Sequence, residues 1–151
     1  MTSGTTSDGG SRRPELIEQE LSYTIVGCAM QVYNELGYGF VEPIYVKALE
    51  VLLRERGVAV EREFPVDVWF HGVLVGRHRL DLLVERRISV EAKATERLSE
   101  VAHVQVRSTL RPAKLKLGLV LHFGPRFSYH RVLAPWLLDT PDEQRTRSGA
   151  V

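Results

Sequence analysis

The sequence contains a single cysteine, Cys28, in 151 residues. A disulfide framework needs pairs, and a multi-cysteine zinc site needs several thiolates, so both are excluded. No stretch approaches the roughly 18 consecutive apolar residues that a membrane-spanning helix requires. Met1 to Arg13 is a Ser, Thr and Gly segment without an apolar run; it does not read as a signal peptide, and a cytoplasmic protein is expected. Lysine is scarce, four against 16 arginines. The last absence is local: residues 101–138 contain neither Asp nor Glu.

What is present suits one folded domain. With 44% hydrophobic and 26% charged residues the chain has enough apolar content for a core, which excludes a disordered protein. The formal charge of +1 taken alone argues against a dedicated nucleic-acid binder, but it is a cancellation. Residues 1–100 carry 12 basic and 16 acidic groups, whereas 101–138 carry Arg107, Arg111, Lys114, Lys116, Arg126 and Arg131, with His103, His122 and His130 among them. Such a block suits a polyanion. It equally suits a solvated face paired with acids from the first half, and charge alone leaves both open.

Residues 1–13 and 139–151 read as flexible polar tails around a single domain, 14–138. Pro14 fits a first helical turn, and Leu21, Ile25, Ala29, Val32 and Leu36 recur with helical period between Glu15 and Leu36. Gly37-Tyr38-Gly39 ends that helix. A second is expected from Val41 to Arg56, with Pro43 in its first turn and Gly57 as a C-terminal cap. The period then changes to two: Val66–Phe70, a turn at His71-Gly72, Val73–Val84, a turn at Arg86-Arg87, and Ile88–Ala94. Ser99 is placed to cap a helix from Glu100 to Arg111, ended by Pro112; strands at Leu115–Phe123 and Phe127–Leu133 follow. The order α-α-β-β-β-α-β-β implies an α/β protein, a mixed sheet flanked by helices.

One constellation carries chemistry. Glu91 and Lys93 are two residues apart on an expected strand, so they share a face, while Val90 and Ala92 take the other. Asp81 lies on the preceding strand between Leu80 and Leu82, and a hairpin through Glu85–Arg87 brings it toward them. Two carboxylates are what a hard divalent cation asks of a protein, and an ammonium beside them can orient water and offset negative charge. The plainer alternative is an exposed Glu–Lys pair, worth about 0–1 kcal/mol. Burial of the strand weighs against it, since unpartnered carboxylates are costly there. So does a Lys in an Arg-rich chain, because the two are not interchangeable.

Asp81, nine residues, then Glu91-x-Lys93 resembles the PD-(D/E)XK nuclease superfamily. Gly39-Phe40-Val41-Glu42-Pro43-Ile44-Tyr45 is similar to the signature of the GxxExxY proteins, small prokaryotic members of it. Arg79–Val84 and Leu119–Gly124 agree in their surroundings, so the likeness spans about residues 15–133. The resemblance implies a restriction-endonuclease-like core, with Asp81 and Glu91 as ligands for Mg²⁺ or Mn²⁺, Lys93 as the catalytic lysine and Glu42 as a further acid at the metal. From the residues alone, Glu42 is equally a first-turn acid favoured by the helix dipole. Tyr45, one turn on, is of a kind more often packed in a core than in contact with a ligand, and is counted with the substrate-binding group as support for the site. Gln105 matches a glutamine that relatives carry on the helix after the Glu-x-Lys. Thr109 stands where they have an aromatic and Ala102 where they have a histidine; His103 is about 100° away around a helix and does not substitute.

Two functions follow as expectations. The first is a Mg²⁺- or Mn²⁺-dependent hydrolase of DNA phosphodiesters, catalytic through Glu42, Asp81, Glu91, Lys93 and Gln105, with Arg107, Arg111, Lys114 and Lys116 on backbone phosphates. The second is a weak or inactive nuclease-fold module that binds nucleic acid or a protein partner. A homodimer is compatible with either; a membrane partner is not expected.

Overall fold

The chain folds as the alternation of periods demands. A computed structural model describes Arg13 and residues 17–138; Pro14, the start of the first helix at Glu15 and the tails beyond Arg13 and Leu138 fall outside the described residues. Helix α1 (Gln19–Leu36) and helix α2 (Glu42–Glu55) precede strands β1 (Val60–Phe70), β2 (Val73–Val84) and β3 (Ile88–Lys93). Helix α3 (Glu100–Ala113), β4 (Leu117–Phe123), β5 (Phe127–Leu133) and a short 3-10 helix, Pro135–Leu137, complete it. The five strands lie in sequence order. Pairs β1–β2, β2–β3 and β4–β5 are antiparallel, and β3–β4 is parallel with α3 as its crossover.

The sheet separates two apolar layers. On one face α1 buries Leu21, Ile25, Ala29 and Val32, and α2 buries Tyr45, Leu49 and Leu53, against Val90, Ala92, Leu119 and Leu121. Leu36, the last residue of the expected stripe, stays exposed. On the other face α3 sets Ala102, Val106 and Leu110 against Leu83, Val120 and Val132. Val106 comes so close to Gly118 that a Cβ there would collide with its Cγ1, so the glycine sets how near α3 lies to the sheet.

Local signals act as read in most places. The Ser99 side chain accepts the Val101 N–H at 3.2 Å and caps α3. His71 and Gly72 both take positive φ, 49° and 76°, the backbone a two-residue hairpin needs. Two boundaries differ. β1 starts at Val60, six residues before the expected alternation, because Val60, Glu61 and Arg62 already pair with Val84, Leu83 and Leu82 of β2 on the sheet edge. Pro112 does not stop α3 but sits inside its last turn, and Lys114 in the left-handed region ends the helix instead.

Candidate active site

β2 pairs with β3 only through Leu82, Leu83 and Val84. At the next position the two strands part. The Asp81 carboxylate accepts the Ala92 backbone N–H at 2.9 Å. The β1–β2 ladder is also interrupted here: Arg62 pairs with Leu82 and Phe64 with Leu80, but Glu63, with a positive φ of 54°, is skipped opposite Asp81. Across this irregularity Leu80 and Leu82 fall into opposite core layers. A strictly alternating strand would not place them so, and the twist turns Asp81 into the fork.

The Gly39-to-Tyr45 segment brings in a third acid. Gly37 and Gly39 take φ of 75° and 121°, the second a backbone that side chains other than glycine rarely adopt. The fully buried Tyr45 then clamps this loop: its hydroxyl donates to Gly37 O at 2.6 Å and accepts from Phe40 N–H at 3.2 Å, and its ring stacks on Phe123 at 4.4 Å. That burial removes Tyr45 from the residues able to touch a substrate; it holds the loop from which α2 starts. Glu42, first residue of α2, extends over the fork, and one carboxylate oxygen each from Glu42, Asp81 and Glu91 lies within 4.8 Å of the others.

Three acids so close and so shielded resist ionising together. Glu91 is pushed up to about 8, first by burial and then by Asp81. Burial, then Asp81, raises Glu42 as well. Asp81 is raised by burial, against the Ala92 hydrogen bond and the Lys93 charge, which both favour its ionised form. Lys93 is the nearby cation, its Nζ 3.8 Å from Glu91 Oε1. A bound divalent cation would relieve this crowding, so the donor set, hard oxygens with one ammonium beside them, fits Mg²⁺ or Mn²⁺.

Gln105, on the outer side of α3, lines a pocket of about 330 Å³ together with Lys93 and Ala102. It also lines a larger groove beside which Arg107, Arg111 and Lys114 project from the same helix. Lys116 is exposed but lines neither. Among the described residues none of the six cations in the acid-free block has a carboxylate within salt-bridge distance; Arg131 instead donates to Ser22 Oγ and Ile17 O, each at 2.6 Å. Among the described residues, that block is therefore not paired with acids from the first half.

One contributor figures in the sequence only as part of the basic block and of the Leu119–Gly124 segment, without a role of its own. His122, register partner of Lys93 on β4, is buried with Nε2 2.6 Å from Thr95 O, tying down the loop that leaves the site. Gly124 has to be glycine, since a Cβ would come within 2.5 Å of that ring. The adjoining Leu-His-Phe-Gly run was the available signal.

Residues 19–132 match the family described as the PD-(D/E)XK nuclease superfamily, and the chain belongs to it. Among solved structures it is similar to the crystal structure of SSO0001, with a TM-score of 0.50 and 16% identity over 91% of this chain. At that identity the likeness concerns the fold alone, and the chain spans 65% of the length of that one. No curated protein matches the sequence. Members of the superfamily are typically nucleases that use divalent metals, and an acidic cluster of Glu42, Asp81 and Glu91 is present in this chain. Among the described residues no helix is long and apolar enough to cross a membrane.

Proposed function

We propose that this protein is a nuclease of the GxxExxY type that hydrolyses DNA phosphodiester bonds with Mg²⁺ or Mn²⁺. The observation that carries the reading is the convergence of Glu42, Asp81 and Glu91 at the fork between β2 and β3, with Lys93 beside them. Asp81 and Glu91 hold the cation and Glu42 adds a third oxygen from the helix side. The ion, when bound, lowers the pKa of water and polarises a phosphoryl oxygen. Lys93 orients the attacking water and offsets the charge that grows on the phosphate. Gln105 shares a pocket with Lys93 and a groove with Arg107, Arg111 and Lys114, which supports a path for a phosphate chain from the lysine along α3. Lys116, exposed after the end of α3, adds charge nearby in sequence without lining the groove.

A second reading has its own support. Ala102, where relatives carry histidine, lines the Lys93 pocket, and Thr109, where they carry an aromatic, lines the groove. Both substitutions leave space in place of a functional group, which suits a binding module. One assay separates the two. The purified chain should cleave DNA with Mg²⁺ or Mn²⁺ and lose cleavage on Lys93→Ala. Salt-sensitive DNA binding without metal-dependent cleavage would instead support the binding module.

A further inference from the structure

The β1–β2 hairpin projects beyond the sheet, since Val73–Leu80 pair with β1 alone. Between this arm and α3 runs a groove of about 870 Å³. Val68 and Trp69 form one wall, and Gln105, Arg107, Arg111 and Lys114 stand along the other. Trp69 is 61% exposed and Phe70 beside it 64%, so the arm presents aromatic surface to solvent. The three cations, at helical spacings of four and three residues, lie on one face of α3. Asp67, the acid among the lining residues, is already held by Arg77 at 2.6 Å. Arg111 packs over Trp136, 5.4 Å from its ring centroid.

From this arrangement the geometry points to a binding site for an unpaired stretch of nucleic acid, with a base stacked on Trp69 and the flanking phosphates on Arg107, Arg111 and Lys114. The inference rests on the nuclease-type reading of the neighbouring centre and names the kind of strand it takes. An aromatic face opposite a cationic rail is the equipment of single-strand binding, where stacking is indifferent to sequence and the charges follow the backbone. A duplex covers its base faces by its own stacking, so it offers Trp69 nothing of that kind. The size agrees: the groove is within the range of a small-ligand pocket, enough for about one or two nucleosides. Gln105 lines both this groove and the pocket that holds Lys93, so the groove adjoins the lysine of the neighbouring centre. A second copy of the chain fits less well. Its own arm, Val66–Arg79, would present one acid, Asp67, which its Arg77 already neutralises, and so brings no charge to the rail.

The test uses the full chain in chelator, where no cleavage occurs. In a Trp136→Phe background Trp69 is the remaining tryptophan, so its fluorescence reports the groove. Titration with a short oligothymidylate should quench it strongly, and a duplex of equal length should quench it little. Trp69→Ala should weaken oligothymidylate binding about tenfold, and Trp69→Phe, which keeps a stacking ring, should restore most of it. Trp69 is exposed, so neither change threatens the core. Equal oligothymidylate affinity for Trp69→Ala and the parent overturns the proposal. So does a Trp69→Ala variant that sediments at half the parent's mass while binding unchanged, since the arm is then a dimer contact. Tryptophan-dependent binding by a protein that never cleaves supports the groove while removing the nuclease reading.

Discussion

The Asp81 carboxylate accepts the Ala92 backbone N–H at 2.9 Å, a side chain standing where the next rung between β2 and β3 would be. The bond has two effects. It satisfies a backbone donor that the parting strands would otherwise orphan, and it fixes Asp81 facing Glu91 in the gap so formed. The same residue thus closes the sheet's hydrogen bonding and opens its acidic centre.

Asp81→Asn separates these roles. The amide oxygen can still accept from Ala92, while the negative charge is gone. In chelator the variant should melt no lower than the parent, since repulsion with Glu91 and Glu42 is relieved. With Mn²⁺ at about 100 times its dissociation constant the parent should gain about 2.7 kcal/mol, on the order of 5–10 °C in Tm. The variant should gain little. Thermal melts with and without Mn²⁺ measure this, and an equal gain in both proteins would remove Asp81 from the ligand set.

Glu91 links stability to pH. Its carboxyl is pushed up to about 8 in the fold, from an ordinary 4.5. Between those values the folded protein retains a proton that the unfolded chain has lost, so this group lowers stability as pH rises through the window. His130 acts in the opposite sense: burial, then His103 and His122, hold it below its ordinary value, so it loses stability as pH falls. Comparison with Glu91→Gln isolates the first effect. In metal-free urea titrations the variant's advantage over the parent should grow from about pH 5 to about pH 8.5. A constant difference across that range would contradict the shift.

Tyr45→Phe tests the loop clamp. The ring keeps its stack on Phe123, but Gly37 O and Phe40 N–H lose the hydroxyl between them. The expected cost is about 1–3 kcal/mol in denaturant unfolding. Divalent affinity should fall as well, because α2 and Glu42 start from that loop. A loss of stability with cation affinity unchanged would make Tyr45 a core residue without influence on the site.

Much of this was legible in the residues. Alternation put Glu91 and Lys93 on one face, and the short hairpin brought Asp81 toward them. Glu42 came from the Gly39-to-Tyr45 motif, since a first-turn acid is otherwise what any helix start favours. The skipped Glu63 and the resulting turn of Asp81 were not legible, because a one-residue irregularity depends on packing from both faces. Tyr45 was grouped with substrate contacts because spacing gives a side chain's direction and not its depth. The groove beside Trp69 required knowing how far the hairpin extends past β3 and where α3 lies, and Gly118 sets the latter by contact alone.

Glu42, Asp81 and Glu91 are proposed to hold one divalent cation beside Lys93. The most direct measurement is the anomalous scattering of crystals soaked in Mn²⁺. The expected result is a peak at the fork, about 2.1 Å from oxygens of Asp81 and Glu91, with Glu42 and Lys93 adjacent. Saturating Mn²⁺ that leaves the fork empty, or binds elsewhere, would contradict it.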